Sequence, residues 1–220
     1  MSEKNKLASS LGLFLRRMFD LMVLNILWLL CCLPVFTFGP ASSALARVMI
    51  TLVRGGSEAV AKNFFIAFRR DFGRAVVLGL IGLAGLAVAV SDILFAVSLS
   101  GGMKILFLIV AVLVCSLVFS YLAYIFALHA FFENSVAGQI RNALSLAAAS
   151  PMETLAIWLC FAVPVAAILL LPRIVLVYIG FLYILFGVSC PAYFAAKHQA
   201  KVIARFDGTQ PPSQNDEAES

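Results

Sequence analysis

The chain has 220 residues, of which 63% are Ala, Val, Ile, Leu, Met, Phe, Trp, Tyr or Cys and only 12% are charged. With a mean hydropathy of +1.03, it is neither a water-soluble globule, which is about half apolar and a quarter charged, nor a disordered chain, which needs the opposite balance. The net charge of +5 is small and, in a lipid-covered chain, reports orientation before partners.

The apolar arm at 18–33 comes first. Asp20 and Asn25 interrupt it, and Pro34 and the Gly39-Pro40 pair then break it. Sixteen helical residues reach only about 24 Å, short of a bilayer core of about 30 Å. The arm therefore either crosses with the help of 34–38 in extended form or turns back. Its basic start at Lys4, Lys6, Arg16 and Arg17 resembles a signal peptide, but the two polar interruptions argue against removal. Residues 41–53 predict an amphipathic helix, with Ala44, Leu45, Val48, Met49 and Leu52 on one face and Ser43, Arg47 and Arg54 on the other.

A second amphipathic helix is predicted over 58–74. It carries Phe64, Phe65, Phe68 and Phe72 on one face and Lys62, Arg69 and Arg70 on the other. It either lies at the lipid interface or packs under the bundle. Four stretches then satisfy the length of a transmembrane helix: 75–98, 104–132, 152–171 and 174–196. The short turns at 99–103 and 172–173 join them as two hairpins. A third amphipathic helix, 135–149, precedes the second hairpin with Val136, Ile140, Leu144 and Ala147 as its stripe. Helix plus hairpin thus occurs twice, over 58–132 and 135–205, as in an internal duplication. The polar tail 207–220 predicts disorder. The expected fold is all-α: one integral membrane domain over 1–206, a polytopic transmembrane helix bundle with five or six membrane segments.

Charge orients it. If residues 18–53 enter and leave on one side, every Lys and Arg except Lys104 and Arg173 shares that side. If 18–38 crosses once, the split is ten against six. The positive-inside rule favours the first arrangement, with both termini cytoplasmic.

Chemistry-bearing residues are few. No carboxylate lies at the centre of a span, where an ion-coupled pump would need one. Asp92, some six residues before the outer end of its span, is the nearest to a buried charge. His129 and Glu133 stand four apart, a pairing distance on a helix. Arg69, Arg70 and Arg74 suit acidic lipid headgroups. The small-residue faces Ala75–Gly79–Gly82–Gly85–Ala89 and Ser116–Ser120–Ala123–Ala127 predict close packing against each other. The five cysteines lie inside apolar runs without a CxxC pair, and the two histidines are far apart, so no metal or cofactor site is expected. Nucleotide-loop, nucleophile-elbow and zinc-protease motifs are missing. No enzymatic activity and no nucleic-acid partner are expected.

The stretch from Leu24 to Leu45, through Asn25, Trp28, Pro34, Gly39-Pro40 and Ala44-Leu45, resembles the signature of the YesL-like bacterial membrane proteins, a family of unknown function. The segments 63–74, 132–135 and 141–144 resemble its two cytoplasmic helices. The resemblance implies a similar size and topology, a place in the bacterial cell membrane, and genes that neighbour carbohydrate uptake and polysaccharide degradation; it implies no catalytic or transport residue. Two functions are therefore carried forward. One is an accessory or assembly component that docks on transporter subunits for carbohydrate uptake. The other is a small-solute permease that self-associates, with 18–53 as its gate and an unknown substrate.

Overall fold

Every regular element in the computed structural model, which describes residues 3–56, 59–170 and 183–207, is helical. In chain order these are α1 (Glu3–Cys31), α2 (Phe38–Val53), α3 (Val60–Arg69), α4 (Phe72–Ser98), α5 (Gly101–Phe131), α6 (Val136–Ala149), α7 (Pro151–Leu170) and α8 (Ser189–Asp207). A 3-10 turn, Val35–Thr37, joins α1 to α2.

Among the described residues, three helical stretches are long and apolar enough to cross a bilayer: Val35–Val53, α4 and α5. A fourth is added if α6 and α7, bent by 102° at Ser150, count as one. Five or six crossings are not reached in this set. The start of the expected span 174–196 lies outside the described residues, as does the tail beyond Asp207. The described end of that span is not continuous. Residues 183–186 are helical, the helix breaks at Gly187-Val188, and α8 then runs from Ser189 to Asp207.

The apolar face expected on α2 is buried and Arg54 is exposed, but burial extends further: Gly39, Pro40, Ala41, Ser43, Ala44, Leu45, Val48, Met49, Ile50 and Leu52 are all buried, so Ser43 is not on a polar face. The helix is the axis of the bundle, with α1, α3, α4, α5 and α8 around it. Ser43 and the residues near it are small enough to admit neighbours on the side that patterning marked as polar. Leu21 and Leu24 of α1, Phe64 and Ala67 of α3, Ala127 of α5 and Ala196 and Ile203 of α8 complete this core.

The helix expected over 58–74 is two helices. Asp71 adopts a left-handed conformation (φ 48°), which ends α3 and restarts the chain as α4 at Phe72. Phe64 is fully buried while Phe65 is exposed, so α3 packs under the bundle with part of its aromatic face free. The stripe expected on α6 is rotated by about one residue. Gln139, Ala143, Leu146 and Ala147 face inward, because the polar Gln139 is buried through its own hydrogen bonds.

The two small-residue faces do not simply meet. Gly82 and Gly85 of α4 face Leu122 and Val118 of α5, and the Tyr121 hydroxyl donates to the Leu78 carbonyl at 2.8 Å. Ala75 and Gly79 face Gly39 of α2 instead. The start of α2, at Gly39, therefore touches α4 about 10 Å from its Phe72 end. That is well short of the far end of this helix of about 40 Å.

Candidate functional site

The fully buried Asn25 side chain, on α1, occupies the break between residue 186 and α8. Its Nδ2 donates to the Ile184 carbonyl at 2.7 Å, and its Oδ1 accepts from the Val188 and Ser189 amides, each at 2.9 Å. A helix break strands donors and acceptors that lipid cannot satisfy. One carboxamide supplies both kinds of partner. Gly187 is needed at the break because a Cβ there would overlap the Tyr183 carbonyl oxygen.

One turn along α1, Trp28 Nε1 donates to Ser42 Oγ of α2 at 3.2 Å, and its ring meets Phe38 edge-on at 6.2 Å. Pro34 sets the extended residue before the 3-10 turn, and Thr37 Oγ1 donates to the Cys31 or Pro34 carbonyl, 2.5 Å from each. Gly39 then seats α2 against α4, and Pro40 occupies the first turn of α2, where a missing N–H costs least. Asn25, Trp28, Pro34, Gly39 and Pro40 thus surround one joint, where α1, α2, α4 and the α8 break come together.

Beside the joint lies a half-enclosed cavity of about 320 Å³. Its aromatic walls are Trp28, Phe38, Phe119, Phe126, Trp158, Phe161 and Tyr183; Gly187, Val188 and Pro191 bring the helix break to its edge. Ser42, Gln199 and the Tyr183 hydroxyl are its polar side-chain groups besides the indoles, and no charged residue lines it among the described residues. Gln199 Nε2 is committed to the Ala123 carbonyl at 2.5 Å, and Trp158 Nε1 is buried without a hydrogen-bond partner.

A polar layer crosses the end of the bundle where α5 stops. Arg47 of α2 donates to the Ala130 carbonyl, capping the C-terminal turn of α5, and lies 5.3 Å from the Phe131 ring centroid; Arg54 lies 5.5 Å from the same ring. His129 was expected to pair with Glu133, but its Nδ1 meets Gln139 Oε1 at 3.2 Å. Glu133 sits beyond the end of α5 and turns to Arg70 at 2.7 Å. Glu153 of α7 pairs with His198 of α8. At the α2–α3 junction a polar hollow of about 570 Å³ is lined by Arg47, Thr51, Gly55 and Asn63 among others.

The Arg70 guanidinium holds the Glu133 carboxyl below the usual carboxylate range. A lowered folded-state value means the pair stabilises above the unfolded carboxylate's pKa and fades as pH falls through the folded one. Both side chains are exposed, so salt screens the pair. Glu133→Gln should melt slightly below the parent at pH 7 in low salt. The difference should vanish at about 0.5 M salt; a gap that survives there would mean the pair is not a surface contact.

Asp92 stands apart, half-buried in the far half of α4 with no ion pair among the described residues, and Arg69 is exposed at the end of α3. Sequence reasoning missed Gln139, Gln199, Thr154 and the tyrosines 121 and 124. Thr154 Oγ1 lies 3.1 Å from the Tyr124 hydroxyl and 2.9 Å from the Ser150 carbonyl across the α6–α7 bend. The available signal was an uncharged polar residue on an otherwise apolar helical face, a class passed over in the search for charge.

No curated protein matches the chain, and no solved structure does. Residues 21–93, which hold Asn25, the α1–α2 turn, α2, α3 and most of α4, match the model of a family described as a protein of unknown function, DUF624.

Proposed function

We propose that the protein is a YesL-like accessory or assembly component of the bacterial cytoplasmic membrane, linked to carbohydrate uptake, with both termini cytoplasmic. On this reading it acts by docking on transporter subunits and is not an enzyme. The packing of α2 carries the reading. A gate must move and leave a polar path, whereas α2 is buried on nearly every side and fills the bundle axis. The docking face is the polar layer, where Arg54, Lys62, Arg69, Arg70, Arg74 and Arg141 are exposed. The start of α2 at Gly39, touching α4 nearer its Phe72 end than its far end, supports an arm that returns to the side it left.

One observation favours the second reading, a self-associating permease: a broken helix at the edge of a cavity is a transporter feature. Two assays separate them. Affinity capture from native membranes in mild detergent should bring down carbohydrate-transporter subunits, and the purified protein in liposomes should pass no sugar. Sugar flux without partners would overturn the docking reading. Cysteines placed beside Lys4 and Lys62 should label from the same side; opposite sides would reject the returning arm.

A further inference from the structure

We propose that the aromatic cavity beside the helix break is a binding site for one acyl chain of a bilayer phospholipid. Its depth fits. Phe126 and Phe119 lie about 8 and 18 Å from the Phe131 end of α5, and Ile157 and Phe161 about 9 and 15 Å from the Pro151 end of α7. In a hydrocarbon core of about 30 Å, that is the acyl region of one leaflet.

The lining selects the chemistry. An anion finds no cation on the walls, and the α8 amides that could have received it are held by Asn25 Oδ1. A sugar carries a hydroxyl on nearly every carbon, and each one buried without a partner is penalised. With Ser42 Oγ already accepting from Trp28 and Gln199 Nε2 committed to Ala123, the walls keep only a few polar groups, on Ser42, Gln199, Trp158 and Tyr183, too few to match a hydroxyl on nearly every carbon. An alkyl chain asks for apolar contact only, which seven aromatic rings supply. Packed interiors leave few voids larger than a water molecule, and a space of about 320 Å³ is at the scale of a ligand site.

The chain has two tryptophans, Trp28 and Trp158, and both line the cavity. The protein is reconstituted in dioleoylphosphatidylcholine vesicles with a rising fraction of the same lipid dibrominated at its double bonds. Bromine on an acyl chain quenches tryptophan on contact, so emission should fall steeply at low brominated fraction. Ala46→Leu and Ala192→Leu fill the cavity from α2 and α8, and each should cut that low-fraction quenching at least twofold while helicity by circular dichroism is unchanged. Quenching in folded leucine variants equal to the parent's, or protection of the parent by added maltose, overturns the site. Should neither variant fold, Trp28→Phe and Trp158→Phe decide. The remaining tryptophan should be quenched in both, and one that stays bright in fully brominated vesicles overturns the proposal.

Discussion

Asn25→Ala is expected to destabilise the folded protein by about 4 kcal/mol, because it orphans three backbone groups that lipid cannot satisfy, at about 1–3 kcal/mol each, partly recovered by relaxation. The three are the Ile184 carbonyl and the Val188 and Ser189 amides, and the asparagine between them is fully buried. Water cannot substitute at that depth. The neighbouring Ile26 is exposed on the same helix, so Ile26→Ala serves as the control. In a lipid environment such a truncation loses little, since lipid tails are as apolar as the side chain. Reversible unfolding in mixed micelles gives both values. A difference between the two variants under about 1 kcal/mol would show that the carboxamide does not hold the break. A large difference would also mean that α1 fixes where α8 begins, coupling the N-terminal arm to the far end of the chain.

Composition and run length made the helical membrane class and the boundaries of α4, α5 and α6 legible, within three residues at each end. The joint was only half legible. Asn25, Trp28, Pro34 and Gly39 were marked by resemblance, while the physical reading treated Asn25 merely as an interruption of an apolar run. Its role depends on a partner about 160 positions away, and no periodicity reports a contact of that separation. On α2 the apolar face and Arg54 were read correctly, while Ser43 and the partly buried Arg47 were misplaced for a related reason. Amphipathic patterning divides a helix into apolar and polar faces, but small residues such as Ser43, and an arginine whose charge is spent on a carbonyl and a ring, can be buried among neighbours. His129 and Glu133 were paired by spacing alone. Spacing cannot foresee that α5 ends before Glu133, which frees its carboxylate for Arg70.

Gly79→Ala should be the most damaging of the glycine substitutions along α4, at about 3 kcal/mol. A Cβ on Gly79 would stand 2.6 Å from the Cα and N of Gly39, and backbone atoms cannot rotate away. Helices α2 and α4 must separate, which pulls Phe38 from Phe126 and withdraws one wall of the aromatic cavity. At Gly82 the nearest atom is the Leu122 Cδ2 methyl at 2.8 Å, which a rotamer change can move, so Gly82→Ala should cost about 1 kcal/mol. At Gly73 nothing lies within 4 Å. Gly73→Ala should be neutral or stabilise by up to about 1 kcal/mol through the helix preference of alanine. Unfolding midpoints in a single micelle composition test this ranking. If Gly79→Ala melts with Gly73→Ala, the helices do not touch through glycine. If it melts far below both variants but the tryptophans stay quenched by brominated lipid, then α2 anchors the bundle without shaping the cavity.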